Sequence, residues 1–170
     1  MSHPPSRIRR LLALCLMAMP LAAAAAALPA DPPDSTVVFQ AGLACSNFDL
    51  KLDVWDGKLN DKQLKDRNGY LRLLLAGTGA AWRLTNLTSG KSMSTRNNGA
   101  SALIQVYLAD GSVNATVRGH SLLIWYPSDL PPGPSTTLLS GQVVYSLTPA
   151  GVGTLVSMNG NATDVCTALS

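Results

Sequence analysis

Phe48-Asp-Leu-Lys-Leu-Asp-Val-Trp55 sets the period of this chain. Phe48, Leu50, Leu52 and Val54 point one way, and Asp49, Lys51 and Asp53 point the other. Successive side chains of extended backbone leave opposite faces, so this alternation marks a strand with one face in a core. Asp56-Gly57 ends it. The Lys/Asp-rich stretch that follows is read as a strand near 61–66. Asp66-Arg-Asn-Gly69 then places Asn-Gly at the tip of a hairpin, where a positive φ is needed.

The same grammar runs onward. Tyr70–Ala76 and Ala81–Leu87 flank Gly77-Thr-Gly79. Thr88–Lys91 turns into a short run at 92–95, and Arg96-Asn-Asn-Gly99 turns again. Ala102, Ile104, Val106 and Leu108 share one strand face. Asp110-Gly111 makes the next hairpin, into Val113, Ala115 and Val117. Gly119 separates these from Ser121–Tyr126. Residues 127–135, with four prolines, form the one long rigid loop. Thr137–Ser140, Gln142–Thr148 and Thr154–Met158 follow, before a last segment that carries Cys166. Nine or ten short strands at this spacing predict an all-β fold. The connections are too short for parallel crossovers, so the sheet is expected to be an antiparallel meander. Barrel-like and sandwich closures both fit; the run of hairpins favours the barrel-like one.

Composition narrows the chemistry. The 170 residues carry ten acidic side chains, all Asp, and only two His. Without Glu there is no HExxH zinc helix, EF-hand loop or Glu-based glycosidase. The first 27 residues read as a signal peptide. Arg7, Arg9 and Arg10 precede an apolar stretch that ends in Ala22–Ala27, with cleavage expected after Ala27. Residues 28–36 are a Pro- and Asp-rich flexible lead, and 37–170 a single β domain. Loss of the three arginines leaves ten basic residues against ten Asp. That balance gives no field to attract nucleic acid. No later segment is long and apolar enough to span a bilayer, so the mature protein is not expected to be membrane-embedded. The expected location is extracellular or at the cell envelope. Cys45 and Cys166 then sit near the two ends of an exported domain, where one structural disulfide is expected.

No catalytic constellation stands out. His120 and Ser121 are sequence neighbours, but on a strand they face opposite sides and cannot bond to each other. Asp49, Asp53, Asp56, Asp61 and Asp66 lie among lysines and read as a mixed-charge edge that resists unwanted strand pairing. Gly77-Thr-Gly79 lacks the lysine and helix of a phosphate loop. No metal or cofactor is expected, because two Cys and one mature His fall short of a zinc set. Asn86-Leu-Thr88, Asn114-Ala-Thr116 and Asn161-Ala-Thr163 match the N-glycosylation pattern, a chance occurrence if the source is bacterial. Trp125, Tyr126, Trp82 and Tyr70 are the candidate ligand-binding residues. The first two lie just before the rigid loop, which is placed to rim a cavity.

The order of features resembles small secreted actinobacterial β-rich proteins of unassigned function. It is carried by Cys45 with Phe48-Asp-Leu50, Asp66-Arg-Asn-Gly69, Ala76-Gly-Thr-Gly79, Leu84-Thr-Asn-Leu87, Gly133-Pro-Ser-Thr-Thr137, Val143-Val-Tyr145 and Cys166. The resemblance implies export and a β fold, and no activity. The leading functional expectation is a secreted, non-enzymatic β-domain that binds or interacts at or outside the cell envelope. Its partner is a small apolar ligand or an envelope protein. A barrel-type carrier of an apolar ligand is the alternative, and an Asp-dependent hydrolase the third.

Overall fold

A computed structural model describes residues 31–95 and 100–170. The expected signal peptide and the turn at Arg96–Gly99 lie outside the described residues. The described chain forms ten strands and one short helix. The strands are β1 (Ser35–Phe39), β2 (Leu50–Trp55), β3 (Lys58–Lys65), β4 (Leu71–Thr78), β5 (Ala81–Asn86), β6 (Ser92–Thr95), β7 (Ala100–Tyr107), β8 (Val113–Trp125), β9 (Ser135–Leu147) and β10 (Gly153–Asp164). Helix α1 (Val165–Leu169) ends the chain. All ladders between these strands are antiparallel.

The strands divide into a four-stranded sheet, β1-β2-β5-β6, and a six-stranded sheet, β10-β9-β8-β7-β4-β3. Neither closes on itself, so the barrel-like closure gives way to two open sheets. The reason lies in two short links. Asp56-Gly57 carries the chain from β2 into β3, and Gly79-Ala80 carries it back from β4 into β5. Asp56-Gly57 reads as a strand end and Gly77-Thr-Gly79 as a turn, yet each link moves the chain between sheets, and β4 pairs with β7 instead of β5. The two links lie side by side. A Cβ at Gly57 would overlap the carbonyl oxygens of Thr78 and Gly79.

The second departure is strand length. β8 and β9 each run 13 residues, and β10 runs 12. Gly119 and Gly141, expected as breaks, lie within continuous ladders. Gly119 pairs with Gly141, and Gly141 pairs with Gly160. Gly119 and Gly160 have φ of 95° and 131°, outside the range of extended L-residues. A Cβ on Gly141 or Gly160 would overlap the facing backbone. This row of glycines lets three long strands change direction together without losing their pairing.

On one side of that row, β8 and β9 face the smaller sheet. Leu50, Leu52, Leu84, Phe48, Val165 and Leu169 are buried there, with Leu122, Ile124 and Leu138 packed against them. The expected Phe48–Val54 face is therefore the core face. The Cys45–Cys166 disulfide, with Cα atoms 5.5 Å apart, clips the loop before β2 to α1. Asp164 caps α1 by accepting from the Thr167 N–H at 3.0 Å. Asn86, from a glycosylation-type triplet, is buried and donates Nδ2–H to the Leu169 carbonyl at 2.9 Å. Among the described residues no helix is long and apolar enough to cross a membrane.

Candidate functional site

The expected aromatic quartet separates into three places. Trp125 ends β8, nearly buried, and stands edge-on to Tyr145 with ring centroids 6.2 Å apart. The rigid loop after it is sewn down by Asp129. This carboxylate is 5% exposed and accepts from the N–H groups of Tyr126 and Gly153, each at 2.7 Å. Leu130 adds backbone hydrogen bonds to Gly153 and Leu155. Gly153 has no side chain for a local reason. A Cβ there would lie 2.8 Å from Trp125 Cζ3. The indole is thus held by a glycine, an edge-on tyrosine and a carboxylate-pinned loop.

Beside it lies a cavity of about 230 Å³, lined by Leu123, Trp125, Tyr126, Asp129, Tyr145 and Leu147. A second, of about 280 Å³, is lined by Leu59, Leu75, Leu103, Val117, Leu123 and Tyr145 among others. The two share Leu122, Leu123 and Tyr145 and form one half-open apolar trough. Register explains its continuity. Leu75 lies opposite Leu103, Leu103 opposite Val117, Val117 opposite Val143, and Ala115 opposite Tyr145. Directly opposed residues share a face. Burial pushes the Tyr145 hydroxyl above its ordinary value of 10.0, so it stays a neutral donor here.

Trp82 stands apart from Trp125, on the inner face of the smaller sheet, with Thr95 opposite it. It lines the second cavity and a third, of about 310 Å³, between the sheets. Tyr70 lines none of these. It lies in the β3–β4 hairpin just before β4, and its N–H is donated to Asp66 Oδ1 at 3.0 Å. Sequence reading missed Tyr145, Leu123 and Leu103 as lining residues and Asp129 as the loop anchor. The apolar runs of β8 and β9 carried a signal for Leu123 and Tyr145, whereas the alternation of β7 pointed to the opposite face from Leu103. Asp129 looked like any polar loop residue.

Three of the five clustered aspartates have separate structural jobs. Asp49 accepts from the Ala41 N–H, and Asp66 from the N–H groups of Asn68 and Tyr70. Asp53 is fully buried on the outer face of the smaller sheet. It accepts from Thr36 Oγ1–H at 2.7 Å and from Arg83 Nη2–H at 2.7 Å, with Lys51 Nζ at 3.1 Å. Burial alone would raise its pKa. The bonds from Thr36, Arg83 and Lys51 outweigh that and hold it below the ordinary carboxylate value. The Arg83 guanidinium also lies 5.4 Å from the Trp55 ring centroid. Such an arrangement fastens strands and leaves Asp53 no lone pair free for a substrate. Among the described residues, no His, Cys and Asp side chains gather in a group of three that could hold a metal.

No family model, curated protein or solved structure matches the chain.

Proposed function

We propose that this chain is an exported, non-enzymatic binding domain that takes a neutral, largely apolar ligand at or outside the cell envelope. The trough beside Trp125 carries this reading. It is concave and mostly apolar, with a few fixed polar groups, which is the composition of small-molecule sites. No Lys or Arg lines either of its cavities. The Asp129 carboxylate at one end disfavours an anion further, because burying like charges together is unfavourable. A chain-like neutral molecule fits better than its acid. Export is supported by the signal-like first 27 residues and by the disulfide, since such bonds persist in oxidising compartments. A second reading has its own support. Leu59, Leu71 and Tyr107, on the trough face of β3, β4 and β7, are exposed apolar residues of the kind a protein partner covers.

Titration with decanol and with decanoate tests the first reading. Decanol is expected to shift tryptophan emission to the blue, and decanoate to bind more weakly. Trp125→Phe removes ring area from the trough and is expected to weaken decanol binding about fivefold, on the order of 1 kcal/mol for lost apolar contact. Trp55→Phe, on the far face of the smaller sheet, is expected to leave binding unchanged. Equal loss in both variants, or no shift with decanol, contradicts the proposal.

A further inference from the structure

Each sheet ends in two edge strands, and three of these four edges carry a feature that keeps other chains from pairing with them. β1 and β6 are short, at five and four residues. β3 is longer, but Lys58, Asp61, Lys62 and Lys65 lie among its eight residues. Charged side chains lose water when a strand pairs beside them, so such an edge stays single. β10 is the exception. It runs 12 residues, and Gly153 to Thr163 contains neither a charge nor a proline.

Part of this edge already takes a partner. Leu130 lies beside Thr154 in a parallel bridge. Its N–H is donated to the Gly153 carbonyl at 2.8 Å, and its carbonyl accepts from the Leu155 N–H at 2.7 Å. Pro131 and Pro132 follow and have no N–H to continue the pairing. The ladder to β9 shifts register between Leu155 and Ser157, then runs without a break to Asp164. Val156 to Asp164 are all exposed, Val156 at 65% and Met158 at 44%.

The glycine row indicates what fits this remaining stretch. Gly119 lies opposite Gly141, and Gly141 opposite Gly160. A Cβ on Gly141 would overlap the Asn159 carbonyl, and one on Gly160 the Ser140 carbonyl. At this level the strands approach too closely for side chains. A strand that joins the row beyond Gly160 meets the same demand, and a second β10 brings the glycine that satisfies it.

From these observations we infer that β10 is a dimerisation edge whose partner is β10 of a second copy of this chain, with the two-fold axis at Gly160. A two-fold axis through an edge makes its two copies run antiparallel, as in every ladder between the strands described above. Residues 157–163 pair, the two six-stranded sheets join into one, and Met158 of each copy lies opposite Ala162 of the other. No charge enters the paired stretch. The inference does not need the trough to be occupied.

Sedimentation velocity from micromolar to millimolar protein concentration tests this. A reversible monomer–dimer equilibrium is expected. It is a weak one, because the paired stretch is shorter than the roughly 20–30 residues a side of a standard interface. Met158→Lys and Ala162→Asp each place a charge in the edge twice per dimer and are expected to weaken association about tenfold. Both positions are exposed, so neither variant is expected to melt earlier as a monomer. When the two variants are mixed, the new cation and the new anion lie opposite each other, and a mixed dimer tighter than either variant alone is expected. Leu64→Lys, on the β3 edge, is expected to change nothing. A protein that stays monomeric at every concentration overturns the inference. A dimer that both β10 variants leave intact, a mixture no tighter than its parts, or a dimer that Leu64→Lys dissolves does the same.

Discussion

Leu84 and Leu73 are both leucines inside strands, yet Leu84 is fully buried and Leu73 is partly exposed. The contrast extends to their surroundings. Around Leu84, in the region of β2, β5 and α1 and the stretches of β8 and β9 beyond the glycine row, two sheets face each other over a common core. A disulfide and a capped helix close that core. Around Leu73, the region of β3, β4 and β7 has no second layer. No described residue of β3 or β4 is buried, and those described in β7 are partly exposed. A leucine's contribution depends on how much water it leaves behind, so the same residue type does unequal work in the two regions. The closed region is scaffold. The open region, with the concave face that continues past Trp125, is where the proposed ligand would sit.

The largest way to break this contrast is to remove the clip. Replacing both Cys45 and Cys166 with Ala opens a loop with a sequence separation of 121. It is expected to lower unfolding free energy by about 2–5 kcal/mol, measured by urea denaturation. A loss below 1 kcal/mol would mean that the closed region does not depend on the bridge. Next come the two leucines themselves. Leu84→Ala is expected to cost about 2–5 kcal/mol, the range for a fully buried leucine that leaves a cavity. Leu73→Ala is expected to cost no more than about half as much, because part of its side chain already meets water. Equal losses would erase the distinction between the regions.

The smallest effect is electrostatic and belongs to the outer face of the closed region. Asp53 has a folded-state pKa below its ordinary 3.8. A depressed carboxylate stabilises the fold above the unfolded value, and that contribution fades as pH falls through the folded one. The stability difference between the unmodified protein and Asp53→Asn is thus expected to be constant near neutrality and to shrink below about pH 4. Urea midpoints taken between pH 7 and pH 2 read it directly. A difference that grows on acidification would reverse the assigned sign.

How much of this was legible in the sequence follows from which signals are local. The Phe48–Val54 alternation identified a core face because a strand's period is a property of a few residues. The disulfide was legible from a signal-like first 27 residues and two cysteines placed near the two ends of the remaining chain. The pairing of strands was not. Gly57 and Gly79 look like ordinary turn glycines, and only the approach of one link to the other turns them into crossings between sheets. Gly119 and Gly141 were read as strand ends because a glycine weakens a lone strand. Side by side with Gly160, they instead preserve the ladder. The candidate site was legible in part. Trp125 and Tyr126 beside the rigid loop pointed to a cavity. Tyr70 did not join them, since nothing near it specifies the β4–β7 pairing.

The central claim is that the closed region holds the fold while the open face binds. Hydrogen exchange read by mass spectrometry, with and without decanol, addresses both parts at once. The expected result is slow exchange in β2, β5 and residues 120–125, fast exchange in β3, β4 and β7, and decanol-induced protection concentrated in segments 120–126 and 141–147. Uniform protection across both sheets, or a decanol effect confined to β1 and β2, would contradict the account.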